Sequence, residues 1–245
     1  MRNNRSIIII IVFISFLTVM SVQAEAFNVP EWLKYELKWL GIKAGTATMS
    51  VEMKDSNYVI ESRAESTDFI SSFYKVDDRI TCIVDGSGGE YGKAINYHLK
   101  LREGSSRKDK EVRFRQDEKK ALYLDHRKKE KKIFDIVENS YDPLSGFFSL
   151  RRMELHVGKP VILKIFDSKK VWDVVVDIIK KEKIKVRAGE FDTILIKPNL
   201  QSEGIFSSRG DIFIWVTDDH RKVPVKIQLE ALIGHVTAEL KEIKD

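Results

Sequence analysis

Apolar and polar residues alternate singly along most of this chain, and that period of two constrains its fold more than any other feature. Ala47, Met49, Val51 and Met53 face one way, while Thr46, Thr48, Ser50 and Glu52 face the other. Trp172, Val174, Val176 and Ile178 alternate with Asp173, Val175 and Asp177. Val225, Ile227 and Leu229 alternate with Lys226, Gln228 and Glu230, and Val236, Ala238 and Leu240 with Thr237, Glu239 and Lys241. Strands with one apolar and one wet face belong to antiparallel sheets, since parallel sheets are covered on both sides. The separators carry turn chemistry: Lys54-Asp55-Ser56-Asn57, Asp85-Gly86-Ser87-Gly88-Gly89, Asp167-Ser168-Lys169 and Asp218-Asp219-His220. About a dozen strands at near-regular spacing predict a mainly β fold, an antiparallel β-barrel or strongly curved β-sandwich.

Two segments break the alternation. Asp142-Pro143 is a capping residue followed by proline at the first helical position. Leu144, Phe147, Phe148 and Leu150 then give a helical apolar face running to about Met153, which predicts one central helix. A shorter turn is expected from Asp68 to Tyr74, where Phe69, Ile70, Phe73 and Tyr74 cluster. Both segments are aromatic and suited to plugging a barrel end, so Phe69, Phe73, Tyr74, Phe147 and Phe148 are the candidate cavity residues. No repeat or low-complexity linker divides the chain. One domain is the simpler count, although the helix could separate two sheet halves.

The first 24 residues read differently. Arg2 and Arg5 precede an apolar run from Ile7 to Val19, broken only by Ser15 and Thr18, and Ser21-Val22-Gln23-Ala24 follows. A positive start, a short apolar core and small residues predict a cleavable secretory signal over 1–24 and a periplasmic destination. The alternative is an anchor helix over residues 6–22, at the lower length limit for a bilayer span and with no basic cluster directly after it. Cleavage after Ala24 leaves 245 − 24 = 221 residues, a domain over 25–245. The formal charge of +5 becomes (42 − 2) − 37 = +3, which excludes a strongly basic nucleic-acid binder. Cys82 is the sole cysteine, so no intramolecular disulfide is possible. Its place in Arg79-Ile80-Thr81-Cys82-Ile83-Val84 predicts a buried, inert thiol.

Residues 100–138 carry 14 Lys+Arg against 9 Asp+Glu, a local surplus of +5 densest at Lys128, Lys129, Lys131 and Lys132. Solvated hairpins explain this pattern. The sharper alternative is contact with anionic headgroups or an acidic envelope partner. Signs of catalysis are sparse. His98, His126, His156, His220 and His235 form no metal-binding spacing, Cys82 has no cysteine neighbour, and no Gly-x-Ser-x-Gly elbow occurs. Gly86-Ser87-Gly88-Gly89 lacks the Lys and Ser/Thr of a phosphate loop. Asp218, Asp219 and His220 are the one polar constellation to test, and they also read as a hairpin turn. No enzyme, metal or cofactor is expected.

Several phrases resemble a family of bacterial exported proteins known as domain of unknown function 3108. They are Tyr35 to Gly45, Phe73-Tyr74-Lys75-Val76-Asp77-Asp78, Tyr141 to Ser145 with Leu150-Arg151, and Ala188-Gly189-Glu190-Phe191. Ile214 to Asp219 with Pro224-Val225, and Gly234, complete the order, covering about 31–241. The resemblance implies a periplasmic antiparallel β-protein and brings no catalytic residues. Physically, Gly41 and Gly45 bracket Ile42-Lys43-Ala44, which reads as the turn joining the first two strands.

Export, many strands, aromatic segments and the missing catalytic motif lead to one expectation: a non-enzymatic envelope protein holding a lipid or acyl chain. A barrel of this size also fills with side chains alone. The alternative function is an assembly or interaction module docking through the basic hairpins.

Overall fold

The computed structural model describes residues 28–167, 169–199, 210–230 and 234–245. The expected signal segment, residues 1–24, lies outside the described residues. A first meander comprises β1 (Glu31–Trp39), β2 (Ile42–Lys54), β3 (Asn57–Ser66), a short helix α1 (Asp68–Ser71), β4 (Asp77–Asp85), β5 (Ala94–Glu103), β6 (Ser106–Arg115), β7 (Lys120–Asp125) and β8 (Glu130–Asp135). Helix α2 (Pro143–Arg151) follows. The second meander is β9 (Val161–Asp167), β10 (Lys170–Val186), β11 (Gly189–Asn199), β12 (Ile212–Thr217), β13 (Pro224–Glu230) and β14 (His235–Lys244).

All these strands join one antiparallel sheet, in the order β8-β7-β6-β5-β4-β3-β2-β1-β14-β13-β12-β11-β10-β9. The meanders meet where β14 returns beside β1, with Trp39 opposite Val236 and Trp32 opposite Lys244. The sheet curls without closing, so the expected barrel-like architecture is realised with two edges, β8 and β9. The alternation that predicts the strands also sets their inner faces: Val51, Val174, Val176, Ile178, Val225 and Leu240 are buried. The β1–β2 turn is tighter than expected. Leu40 and Gly41, both at positive φ, make it alone, and Ile42 already belongs to β2. Gly45 instead serves strand packing, because a Cβ there would lie 2.2 Å from the Glu65 carbonyl oxygen of β3.

Open edges invite pairing with other chains unless covered. Here Tyr141 covers part of β9: its N–H donates to Lys164 O at 2.9 Å and its carbonyl accepts from Phe166 N at 2.7 Å. Side chains bring the edges together. The Phe166 ring of β9 lies 6.0 Å from Phe134 of β8 and 6.1 Å from Phe114 of β6. Lys169 donates to both Glu130 oxygens at 2.8 and 2.7 Å and sits 5.0 Å over the Tyr123 ring. Strand direction places α1, the β7–β8 turn, Lys169, the end of β11 and the start of β12 at one end of the sheet. Glu31, Asp245 and the β12–β13 turn lie at the opposite end.

Hydrogen bonds from Lys132 and Lys169 hold the Glu130 carboxyl down to about 2, from an ordinary 4.5. A carboxylate depressed in the folded state stabilises it above the unfolded value and loses that contribution as pH falls through the folded one. Glu130→Gln is therefore expected to be less stable than wild type at pH 7, with the gap closing between pH 4.5 and about 2 in urea denaturation. A gap of constant size across that range would show that the seam does not depend on this carboxylate.

Candidate functional site

Between the inner face of the sheet and α2 lies a half-open cavity of about 320 Å³. Pro143, Leu144, Phe147 and Leu150 of α2 form its floor. Met49, Ala64, Ile80 and Leu101 line it from the first meander, and Leu163, Val176, Ile196, Ile214 and Ile227 from the second. Its lining draws on two separate core clusters, one mainly from β1–β8 and one from β9–β12, so it marks the place where those clusters do not meet. Polar side chains are few: Ser62, Asp78 and Tyr97. Asp78 Oδ1 accepts the Arg102 N–H at 2.9 Å. Ala64 and Asp78 flank the β3–β4 connection, and Pro198 and Ile212 flank the β11–β12 connection, so the cavity extends towards the α1 end.

Its size and lining suit a small apolar ligand, for which pockets run about 300–1,000 Å³. Being half open, the cavity is accessible to water, and an apolar ligand entering it would displace that water from aliphatic walls.

Two buried polar anchors hold the floor. Asp142 caps α2: Oδ1 accepts from Leu144 N at 3.0 Å, Ser145 N at 2.9 Å and the Cys82 thiol at 3.0 Å, and Oδ2 accepts from Ser145 Oγ at 2.5 Å. Burial pushes the Asp142 carboxyl up, against the pull of those donors. Burial, and then the neighbouring Asp142 carboxylate, raise the Cys82 thiol well above its usual range. The thiol is buried, as its surroundings in the sequence predict, and it serves as a donor to the cap. The Tyr91 hydroxyl donates to Ser145 O at 2.6 Å, adding a further tie from the β4–β5 loop.

At the other end of α2, Arg151 is fully buried and makes a two-pronged pair with Glu31, at 2.8 and 2.9 Å. Its Nε donates to Arg221 O at 3.1 Å, and its guanidinium lies 4.9 Å over the Phe148 ring. Arg221 reaches the same Glu31 at 3.1 Å and also bonds Asp245. Glu31 opens β1, Arg221 sits in the β12–β13 turn and Asp245 follows β14, so one cluster ties the helix to both meanders.

The aromatic candidates separate. Phe147 lines the cavity. Phe148 is fully buried but turns to Arg151 instead. Phe69, Phe73 and Tyr74 do not line the cavity; they are 70%, 60% and 49% exposed, and only Ile70 of α1 turns inward. A four-residue helix has room to bury one side chain, so clustering of aromatics misled where periodicity was absent. Lys128, Lys129, Lys131 and Lys132 are exposed around the β7–β8 turn, and Lys132 pairs with Glu130 at 2.7 Å. Asp218, Asp219 and His220 do not converge. Asp218 pairs with Lys181 at 2.7 Å, Asp219 accepts from Thr217 Oγ1, Arg221 N and Lys222 N within the turn, and His220 is exposed. The residues missed from sequence are the aliphatic liners, which look like any core strand, and Glu31 and Arg151, which look like surface charges.

Residues 34–241 match the family described as protein of unknown function (DUF3108). The chain belongs to that family. Among solved structures, this DUF3108 protein is similar to a β-barrel-like protein of domain of unknown function DUF1849 from Brucella abortus, at 11% identity and a TM-score of 0.57, covering 89% of this chain and 98% of that one. A protein with a YmcC-like fold from Bacteroides fragilis aligns at 8% identity and a TM-score of 0.35, over 89% and 97% of the two chains. The first likeness shows the fold alone. A comparison with curated proteins finds no match.

Removing one partner of a buried ion pair strands the other charge and costs about 3–5 kcal/mol. Arg151→Met is expected at the low end, about 3 kcal/mol in urea denaturation, because Arg221 still reaches Glu31. Adding Glu31→Leu should restore part of that loss; a double variant as unstable as the sum of both would refute the pairing. Cys82 should resist a thiol-specific reagent at pH 8 in the folded protein and react at once in denaturant. Rapid labelling under native conditions would contradict its burial.

Proposed function

We propose that this DUF3108 protein is an exported, non-enzymatic carrier of an apolar ligand of the acyl-chain class, held between α2 and the curled sheet in the periplasm. The observation that carries the reading is the cavity: about 320 Å³, lined almost wholly by aliphatic and aromatic side chains, with a few polar groups. The amino-terminal run of Arg2, Arg5 and thirteen mostly apolar residues from Ile7 to Val19 supports export. The distribution of the outer surface agrees with delivery from a membrane. Exposed Phe69, Phe73 and Tyr74, together with Leu40 of the β1–β2 turn and Ile42 at the start of β2, crowd the end towards which the cavity extends. Lys128 and Lys129 occupy the β7–β8 turn at that same end. Aromatic rings suit the headgroup level, and lysines suit anionic lipid. In this reading the basic hairpin serves the carrier role as its membrane contact, where a separate docking module was the alternative.

Native mass spectrometry of protein purified from the exported fraction tests the proposal. Wild type is expected to carry a mass increment in the acyl-chain range, and Ala64→Trp, which fills the cavity, is expected to lose it. Apoprotein mass alone for wild type, with no extractable lipid, would overturn the carrier reading. Replacing Lys128, Lys129, Lys131 and Lys132 with glutamine should weaken binding to anionic vesicles at low salt, while the ligand already bound stays in place.

A further inference from the structure

The outer face of the β5–β6–β7 hairpins gathers side chains that the linear sequence keeps apart. Tyr97 and Leu99 of β5 point into the core, so His98 points outward. It stands opposite Glu111 of β6, and Asp109 lies two residues from Glu111 on the same face. His126 follows β7 and is fixed beside them, its backbone N–H donating to Asp109 O at 2.9 Å. The ligand atoms of His98, Asp109 and His126 all lie within 4.8 Å of one another. His98 Nε2 is 2.8 Å from Asp109 Oδ1, and the two imidazole rings are 5.6 Å apart.

We propose that His98, Asp109 and His126 form a surface site for a divalent transition metal of the zinc class, stapling three strands. Two imidazoles and one carboxylate are the nitrogen and oxygen donors such ions take at about 2.0–2.2 Å. Magnesium and calcium select oxygen sets instead. Donors about 2.1 Å from one tetrahedral ion stand roughly 3.4 Å from each other, so small side-chain rotations bring the three into range. Glu111 supplies the outer support that metal-binding imidazoles use. Its Oε2 is 3.1 Å from His126 Nε2, while Oε1 accepts from Asn96 at 3.0 Å and Arg113 at 2.6 Å. Three protein ligands at a partly exposed surface leave a fourth position for water. Linear spacing cannot register such a set, because His98 comes from β5, Asp109 from β6 and His126 from the β7–β8 turn.

A ligand that binds only the folded state raises its stability by mass action. After treatment with EDTA, Zn²⁺ should bind the full-length protein one to one by calorimetry and raise its melting temperature, whereas Mg²⁺ should do neither. His98→Ala and His126→Ala should each weaken Zn²⁺ binding at least tenfold, and His156→Ala should leave it unchanged. In wild type alone, Zn²⁺ should protect His98 and His126, and not His156, from histidine acylation mapped by peptide mass. Absence of Zn²⁺ binding, or protection spread evenly over all the histidines, would overturn the proposal.

Discussion

The buried contact between Glu31 and Arg151 is the constraint on which the interior depends. A nine-residue helix is too short to persist by its own propensity, so α2 needs tertiary anchors. Asp142 anchors its start through the β4 thiol, and Arg151 anchors its end through the first residue of β1. A buried ion pair adds little net stability over a hydrophobic pair of equal volume, and its value lies in where it permits the chain to sit. A guanidinium moved away from Glu31 loses its two-pronged partner, and Glu31 loses it in turn, so a shift of α2 leaves buried charge uncompensated. Fixed at both ends, the helix is held off the opposite strands, and the cavity is what remains.

The open seam follows from the same arrangement. The connection from β8 to β9 is spent on α2 and its flanking segments, and Tyr141 takes backbone positions on β9 that a neighbouring strand would otherwise occupy. The edges are therefore joined by side chains, through aromatic packing and the Lys169–Glu130 pair. Lys131 and Lys132 on β8 add charge that discourages pairing with another chain.

Strands were legible because each half-buried strand writes its burial directly as alternation: Val174, Val176 and Ile178 are dry, and Asp173 is wet. The central helix was legible because Asp142-Pro143 carries its own start signal, which Asp142 obeys by capping Leu144 and Ser145. The cavity was not legible. Ile196, Ile214 and Leu163 have the pattern of packed core residues, and whether a partner fills the space opposite depends on curvature that no local pattern records. Glu31 and Arg151, 120 residues apart, read as solvated charges because polarity in sequence says nothing of a partner across the fold. The same separation hid His98 from Asp109 and His126, which only strand register brings together.

The two ends of the sheet differ in chemistry, and that difference bears on how a ligand would enter. At one end Glu31, Arg151, Arg221 and Asp245 form a connected set of charges with the carboxylates and guanidinium groups paired. An apolar molecule passing there would have to separate those pairs, at several kcal/mol for each ion left uncompensated. At the α1 end the surface is aromatic and aliphatic around Phe69, Phe73, Leu40 and Ile42, and the cavity wall there is Ala64, Leu101 and Ile212. Passage at that end crosses mostly apolar surface, past the Asp78 side chain. In the carrier reading, the anchors that hold α2 would thus also direct access to the cavity, and the exposed rings of Phe69 and Phe73, which contribute nothing to the lining, stand where a ligand would first meet the protein.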